Sequence, residues 1–269
     1  MIPFTKMHGL GNDFIILDKT TIPDSIDIYN FARKFCKRPL GIGCDQLIIY
    51  QQVADGAIME IYNPDGSPAG ACGNATRCVA YLMYETYGST ECKIYVGTRS
   101  LYTYYKSMDN VSVNMGPVDY SPKWAPARNL LHEFLSPYIK ENIEFMSVSI
   151  GNPHLIIFSQ DISEQDIALI GPRIEKASFF PDGVNVNFAK IINGEIILKV
   201  WERGTGLTYA CGSGACATFA SALKLGYVKS NAKVRFELGA LDICIKDEDI
   251  IMEGPVAIVA KGELCYEAK

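Results

Sequence analysis

The sequence contains no run of basic residues and no apolar stretch of membrane-spanning length. Its 25 lysines and arginines are outnumbered by 30 aspartates and glutamates, which gives a formal net charge of -5 at pH 7. A mildly acidic chain without a basic patch has no electrostatic attraction for nucleic acid or for anionic membranes. No apolar stretch approaches the roughly 20 residues that span a bilayer, and the first residues lack the apolar core of a secretory signal. These absences predict a cytoplasmic protein with neither a nucleic-acid nor a membrane partner.

The common signatures of metal and cofactor sites are also missing. The chain has nine cysteines but no C-x-x-C pair, and only three histidines, His8, His132 and His154, so the ligand spacing typical of zinc sites does not occur. An odd number of cysteines in a chain without a secretory signature does not favour a disulfide framework. No glycine-rich dinucleotide fingerprint follows a strand, and no lysine lies in a pyridoxal-phosphate setting. We expect neither a metal nor a cofactor.

The main positive feature is an internal repeat, because the second half of the sequence echoes the first at an offset of about 140 residues. The matches occur in the same order in both halves, and the offset has shortened only to about 138 residues at the last of them. Ordered matches with so little drift indicate two tandem copies of one fold. The matched pairs are Gly11-Asn12 with Gly151-Asn152, Gly43 with Gly183, Asn63 with Glu202, Cys72-Gly73-Asn74 with Cys211-Gly212-Ser213, and Gly116-Pro117-Val118 with Gly254-Pro255-Val256.

Each copy is predicted to consist of strands around one helix. Apolar and alternating β-branched runs mark the strands, and Asn193-Gly194 between two such runs predicts a hairpin. The helices are predicted over Ala75–Tyr84 and Ala215–Leu225, the second of which is apolar nearly all round and therefore buried. We predict an α+β fold of two similar tandem domains, residues 1–117 and 118–269, with strands of the chain ends free to cross between the halves. Each domain is expected to be a barrel-like sheet wrapped around its helix, with a pseudo-two-fold relation between the domains and the active site in the cleft between them.

Two of the cysteines, Cys72 and Cys211, immediately precede the predicted helices. The N-terminus of a helix offers free backbone N–H groups and the positive end of the helix dipole, so it binds carboxylates and lowers the pKa of a thiol placed there. Gly73 and Gly212 allow a ligand close to the backbone, and Asn74 and Ser213 are predicted to be the N-caps. Cys72 and Cys211 are therefore the candidate reactive thiols; most of the other cysteines are expected to be small buried hydrophobes, and all of them are expected to be inert.

A pair of equivalent thiols suggests inversion of a carbon centre. One group removes a proton from one face of the carbon and a second group returns a proton to the opposite face, so one must start deprotonated and the other protonated. The carboxylate beside that carbon would lie between the two helix N-termini, whose N–H groups would stabilise the negative charge that develops there.

The chain resembles the diaminopimelate epimerase family in motifs that occur in order along essentially its whole length. These motifs are Met7-His8-Gly9-Leu10-Gly11-Asn12-Asp13-Phe14, Gly41-Ile42-Gly43-Cys44-Asp45-Gln46, Tyr62-Asn63-Pro64-Asp65-Gly66-Ser67, Cys72-Gly73-Asn74, Gly151-Asn152-Pro153-His154, Trp201-Glu202-Arg203-Gly204 and Ala210-Cys211-Gly212-Ser213-Gly214-Ala215-Cys216. The resemblance implies cofactor-independent interconversion of L,L- and meso-diaminopimelate, in lysine and peptidoglycan biosynthesis, by a homodimer.

The resemblance also implies roles for individual residues. Cys72 and Cys211 would be the base and the acid, and His154 and Glu202 would lie near the thiols and assist proton movement. Arg203 would bind the distal carboxylate of the substrate, for which its planar guanidinium is suited. Residues expected to bind the substrate are Asn12, Gln46, Asn63, Gly73, Asn74, Asn152, Asn185, Glu202, Arg203, Gly212 and Ser213.

Three alternatives remain open from the sequence. The first is a two-base racemase for another amino acid, such as proline, hydroxyproline or histidine; a substrate with one carboxylate would not need Arg203. The second is a thiol-redox protein, in which Cys72 and Cys211 would form a disulfide. The third is a binding module, which would bind a ligand without exchanging its α-proton.

Overall fold

The structure is a computed structural model that describes residues 1–70, 72–139, 144–160 and 163–266. The described chain forms two compact units. The first comprises Met1–Asn114 together with the chain from Glu253 onward, and the second comprises Met115–Met252. Within the described residues, no helix is both long enough and apolar enough to cross a membrane.

The described part of the first unit contains eight strands, two α-helices and a 3-10 turn at Lys19–Thr21. Its strands pair in the order β16-β1-β2-β3-β4-β5-β6-β7. Its strands are β1 (Ile2–Gly9), β2 (Asn12–Asp18), β3 (Gln46–Val53), β4 (Gly56–Tyr62), β5 (Glu91–Val96), β6 (Arg99–Ser107), β7 (Asn110–Pro117) and β16 (Ala257–Leu264), and its helices are α1 (Ile28–Phe35) and α2 (Gly73–Tyr87).

The strands of the second unit pair in the order β15-β14-β13-β11-β10-β9-β8, with β12 paired to β11. Its strands are β8 (Glu144–Ser149), β9 (Pro153–Phe158), β10 (Asn185–Ile192), β11 (Glu195–Glu202), β12 (Gly206–Thr208), β13 (Asn231–Phe236), β14 (Gly239–Lys246) and β15 (Asp249–Gly254), and its helices are α3 (Arg128–Leu135), α4 (Glu164–Glu175) and α5 (Gly212–Lys224).

The two units repeat one pattern of strand pairing. From β1 to β6 the successive pairs are antiparallel, parallel, antiparallel, parallel and antiparallel. The series β8, β9, β10, β11, β13 and β14 gives the same alternation. In each series the first parallel crossover contains an outer helix, α1 or α4, and the second contains the central helix, α2 or α5. The predicted α+β fold of two similar tandem copies is therefore confirmed.

A buried helix forms the centre of each unit. Helix α2 is buried from Gly73 to Met83 and contacts β1 to β6, while α5 is buried from Gly212 to Ala222 and contacts β8 to β11, β13 and β14. Burying one large aliphatic side chain contributes about 1.5–3 kcal/mol, so the apolar composition of both helices is explained by their position inside the sheets. Gly88 ends α2 in the left-handed conformation, with φ of 71°, which costs glycine nothing.

The predicted hairpin between β10 and β11 is also confirmed. Ile192 pairs with Glu195, and the two turn residues Asn193 and Gly194 have φ values of 52° and 78°. Two positive φ angles are characteristic of a type I′ turn, whose twist matches the flanking strands.

The chain crosses between the compact units within two strands, β7 and β15, so Glu253 and the residues after it lie with the first unit. The sequence-based division at 117/118 assigned that segment to the second repeat, while leaving strands at the chain ends free to cross. The segment joins the first unit because β16 pairs antiparallel with β1 from Ile2–Leu264 to His8–Ala257.

Candidate active site

Each central helix begins at a cysteine whose sulfur accepts a backbone hydrogen bond. The N–H of Ala75 donates to Cys72 Sγ at 3.4 Å, and the N–H of Gly214 donates to Cys211 Sγ at 3.4 Å. Both cysteines have extended backbone conformations and are the N-caps of α2 and α5. The duplicated fold therefore places one thiol in the same local setting in each unit.

This geometry corrects the prediction that Asn74 and Ser213 are the N-caps. Because Cys72 and Cys211 cap the helices through their sulfurs, Asn74 and Ser213 are the second residues of their helices. Their side chains instead contact the neighbouring polar groups. Asn74 Nδ2 donates to Asn12 Oδ1 at 3.1 Å, and Ser213 Oγ lies 3.5 Å from Cys211 Sγ.

In the first unit, Asn12 connects the thiol to a charged network. Its Oδ1 accepts from Cys72 Sγ at 3.6 Å, and its Nδ2 donates to Asp45 Oδ2 at 2.9 Å. Asp45 Oδ2 also accepts from the N–H of Asp13 at 3.1 Å. Asn12 is therefore fixed from both ends, which orients its oxygen toward Cys72.

Two basic residues hold that network in place. Lys6 Nζ lies 2.7 Å from Asp13 Oδ2, and Arg38 contacts Asp13 at 2.9 Å and Asp45 at 2.6 Å. Burial would raise the pKa of Asp13, but the hydrogen bonds and charges of Arg38 and Lys6 outweigh it and hold that pKa below its ordinary value. Sequence reasoning missed these residues, although Asp13 and Asp45 adjoin the predicted site residues Asn12 and Gln46.

Gln46 and Asn63 form a second polar group of the first unit. Gln46 Nε2 donates to Asn63 Oδ1 at 3.2 Å, and Asn63 Nδ2 donates to Ser67 Oγ at 3.1 Å. Gln46 begins β3 and Asn63 directly follows β4, and these antiparallel strands bring the two residues together. The structure thus joins two residues that the sequence predicted separately.

Arg77 is a further residue that sequence reasoning missed. It is fully buried on α2, and its Nη2 donates to Asn74 Oδ1 at 2.9 Å. A Cβ atom on Gly9 would lie 2.8 Å from that same Nη2, so a larger residue at position 9 would require the end of the guanidinium to shift. A buried guanidinium carries a positive charge into the hydrogen-bonded group that contains Asn74, Asn12 and Cys72.

In the second unit, His154, Asn152 and Ser213 form a compact hydrogen-bonded cluster. His154 Nε2 lies 3.0 Å from Asn152 Oδ1 and 3.1 Å from Ser213 Oγ. Asn152 Nδ2 donates to Ser213 Oγ at 3.2 Å. Ser213 in turn lies beside Cys211, so the imidazole ring reaches that sulfur through the serine hydroxyl.

The electrostatic surroundings of Cys211 overturn the expectation of a lowered thiol pKa at this site. Burial raises the pKa of Cys211 well above its ordinary value, and the nearby Glu202 carboxylate raises it further. The hydrogen bonds from Ser213 and from the N–H of Gly214 lower that pKa but do not outweigh the first two effects. Cys211 is therefore protonated at neutral pH. Thr208 Oγ1 donates to Glu202 and orients its carboxylate.

His154 is neutral at physiological pH. Its ring is completely buried, and this burial, together with the positive charge of Arg203, lowers its pKa to about 3. The neutral ring neither gains nor loses a proton at neutral pH, and its partners are fixed. Its role is therefore to position the neighbouring side chains.

The lowered pKa of His154 predicts a specific pH dependence of stability. The unfolded chain binds a proton at this histidine below about pH 6.5, whereas the folded chain does so only near pH 3, so the free energy of unfolding should decrease as pH falls through that window. From pH 7.5 to 4.5 the loss from this group is about 2.7 kcal/mol. Urea unfolding of the native chain and of His154→Gln at both pH values measures this loss in the free energy of unfolding. Equal pH dependence of the two proteins would contradict a buried neutral ring.

Asn185 and Arg203 are hydrogen-bonded to each other, and Arg203 lines a surface cavity. Arg203 N–H donates to Asn185 Oδ1 at 3.0 Å, and Arg203 Nη1 donates to the carbonyl of Asp182 at 2.9 Å. Asn185 Nδ2 donates to the carbonyl of Pro153 at 2.9 Å. The cavity has a volume of about 340 Å³, and Arg203 is part of its lining. A fixed guanidinium beside a cavity is suited to binding a carboxylate.

The other cysteines of the central helices differ from Cys72 and Cys211. Cys78 and Cys216 are fully buried, and burial raises the pKa of Cys78 to about 12. A buried thiol with a high pKa is a poor nucleophile, in line with the prediction of inert packing. In the described part of the chain, no group of three or more histidine, cysteine, aspartate or glutamate residues could hold a metal ion.

Comparison with known proteins identifies the family. The diaminopimelate epimerase family model matches residues 4–121 and 146–259. A protein named diaminopimelate epimerase from Rickettsia bellii strain OSU 85-389 is 46% identical over 261 residues, which cover 97% of each chain. Its namesake from Rickettsia prowazekii strain Madrid E is 47% identical over 266 residues, covering 99% of this chain and 98% of the relative.

Solved structures share the fold at much lower sequence identity. A protein from Pseudomonas aeruginosa described as a predicted epimerase matches with a TM-score of 0.76 and 13% identity, covering 99% of this chain and 100% of its own. A hydroxyproline epimerase from Agrobacterium vitis matches with a TM-score of 0.70 and 14% identity, covering 97% of this chain and 91% of its own. These likenesses concern the fold alone.

Proposed function

Because the chain belongs to the diaminopimelate epimerase family, we propose that it inverts an α-carbon of diaminopimelate with two cysteine sulfurs, those of Cys72 and Cys211, one of which removes the α-proton while the other delivers a different proton. The enzyme is an isomerase that interconverts the L,L and meso forms, a step of lysine and peptidoglycan biosynthesis. The observation that carries the proposal is the repeated setting of the two thiols. Each caps a buried helix and accepts one backbone N–H at 3.4 Å, in corresponding positions of a duplicated fold.

The proposed reaction needs one sulfur on each face of the α-carbon. One thiolate removes the α-proton, the electron pair of the broken C–H bond moves into the adjacent carboxylate, and the other thiol delivers its proton to the opposite face. The N–H groups at the starts of α2 and α5, including those of Gly73 and Gly212, would stabilise the negative charge on the carboxylate. No redox step or electron acceptor is involved, so we propose that no cofactor is needed.

The raised pKa of Cys211 suits this thiol to the role of the acid. Since burial and Glu202 keep Cys211 protonated, we propose that Cys211 is the acid in a turnover that starts from this state, and that Cys72 is the base once it has lost the proton that it donates to Asn12. After one proton transfer the two sulfurs have exchanged their protonation states, and the reverse reaction then starts from Cys211. Glu202 accepts a hydrogen bond from the Cys211 thiol and so is proposed to favour its protonated form.

The remaining predicted site residues are proposed to bind the substrate. Arg203 would pair with the distal carboxylate, which proline and hydroxyproline lack, and this distinguishes the proposal from the related racemase activities. Polar groups proposed to complete substrate binding are those of Asn12, Gln46, Asn63, Asn74, Asn152, Asn185 and Ser213. A cytoplasmic homodimer is also proposed, from family resemblance alone.

The direct test is incubation of the purified chain with L,L-diaminopimelate in the presence of a metal chelator and a reductant. We expect the meso form to accumulate until both forms are at equilibrium, with no added cofactor. L-Proline and trans-4-hydroxy-L-proline, tested in parallel, should remain unchanged. Turnover of proline without turnover of diaminopimelate would favour the alternative racemase.

A further inference from the structure

We propose that Asn187 is a positioning residue, which fixes the tautomer of His154 and thereby directs the hydroxyl proton of Ser213 toward the Cys211 sulfur. The inference rests on the proposed function only in taking Cys211 as a reacting thiol. None of the sequence motifs pointed to Asn187, which lies on β10 two residues after Asn185.

The orientation of the Asn187 amide follows from its surroundings. The side chain is completely buried. Its Nδ2 lies 3.1 Å from His154 Nδ1, 3.2 Å from the carbonyl oxygen of Leu155 and 3.3 Å from that of Asn185. A carbonyl oxygen can only accept a hydrogen bond, so the group that faces two of them must be the amide nitrogen.

The same contact determines where the imidazole proton lies. Since Asn187 Nδ2 donates, His154 Nδ1 must accept and carries no proton. The ring is neutral, because its pKa is lowered by burial to about 3, and its single proton therefore lies on Nε2. Nε2 is the atom that faces Asn152 and Ser213, at 3.0 and 3.1 Å.

Ser213 then has one remaining direction for its own proton. Its Oγ faces two donors, Nε2 of His154 at 3.1 Å and Nδ2 of Asn152 at 3.2 Å. A protonated ring nitrogen and an amide nitrogen cannot accept a hydrogen bond, so the O–H of Ser213 is left to donate to Cys211 Sγ, 3.5 Å away. A donated hydrogen bond stabilises the thiolate of Cys211, against the opposing effects of burial and Glu202.

The oxygen of the Asn187 side chain faces the first turn of α5. Its Oδ1 has no hydrogen-bond partner among the described residues, and a Cβ atom on Gly214 would lie 2.4 Å from it. The amide therefore fits between His154 and the first turn of the helix that carries Cys211. An aspartate at position 187 would instead accept a proton from Nδ1, which would leave Nε2 as an acceptor and turn the Ser213 hydroxyl away from the sulfur.

The test uses the full-length chain and two readouts. In ¹⁵N NMR spectra at pH 7, the native His154 should show a protonated Nε2 and an unprotonated Nδ1, and Asn187→Asp should reverse that assignment. The rate at which iodoacetamide alkylates Cys211, followed by mass spectrometry of its peptide across a pH series, should shift to higher pH by about one unit in Asn187→Asp and in Asn187→Leu. Thr218→Val, which removes a buried hydroxyl on α5 that donates to the Gly214 carbonyl, should leave both readouts unchanged.

Either of two results would overturn the proposal. One is a native His154 with its proton on Nδ1, a measurement that needs no variant to fold. The other is an Asn187→Asp protein with both the native tautomer and the native alkylation profile. Neither readout requires turnover of diaminopimelate, so a failure of the proposed reaction would be recognised separately, by the absence of epimerisation in the native chain.

Discussion

Replacing either Cys72 or Cys211 with alanine is expected to lower kcat for epimerisation at least about 10³-fold, because each replacement removes one of the two groups that handle the α-proton. Inversion needs both a base and an acid, so the two single variants should lose activity to a similar degree. The double variant should be little worse than either single one, since the two groups act as a unit. Initial rates of meso-diaminopimelate formation measure the effect.

The chain provides matched controls for this experiment. Cys78 lies on the same helix as Cys72, and Cys216 lies on the same helix as Cys211, and both are completely buried. Cys78→Ala and Cys216→Ala remove a thiol of the same kind from the same element, and both should keep kcat within a few-fold of the native value. Normal turnover by Cys72→Ala or Cys211→Ala, or an equal loss in the controls, would exclude the assignment of the reacting pair.

The second large effect is expected at Arg203. Replacement by methionine should lower kcat/KM for L,L-diaminopimelate by about 10²-fold or more, since a hydrogen bond to a charged group contributes about 1.5–3 kcal/mol and a bidentate guanidinium makes two. L-Lysine has the same chain without the distal carboxylate. Competition by L-lysine for the site should therefore be weak in the native enzyme and unchanged in Arg203→Met.

Removal of a neighbouring positive charge tests whether Arg203 acts by direct pairing with the carboxylate or only by general electrostatic attraction. Lys176 lines the same cavity as Arg203, and Lys176→Met removes an equal charge nearby. This variant should retain at least about half of the native kcat/KM, because an exposed charge without a fixed partner contributes little. Equal losses in the two variants would contradict a direct pairing of Arg203 with the distal carboxylate.

The sequence predicted the features that depend on local pattern and on repetition. The two central helices were expected from apolar composition, and the Asn193-Gly194 turn from its preference for positive φ. The duplication was expected from ordered matches such as Gly11 with Gly151, and both of these glycines have positive φ, 85° and 95°. Such features are encoded by neighbours in the chain, so they can be recognised without knowledge of tertiary contacts.

The features that the sequence did not predict depend on burial. A helix N-terminus favours a thiolate, but whether that effect dominates depends on desolvation and on nearby charges, and at Cys211 burial and Glu202 outweigh it. The same limit applies to Asn187 and Arg77. A single asparagine in a strand or arginine in a helix is usually exposed, and only the packed structure shows that both are completely buried beside site residues.

The most direct test of the two-base proposal is the isotopic composition of both diastereomers early in a reaction run in D2O. Starting from L,L-diaminopimelate, we expect one deuterium at the inverted α-carbon of the meso product, and no deuterium in the L,L substrate that remains. This follows because the proton removed by one sulfur is not the proton that the other sulfur delivers. Equal labelling of product and recovered substrate, or a product that keeps its original proton, would mean that a single group both removes and returns the proton, and would contradict the account.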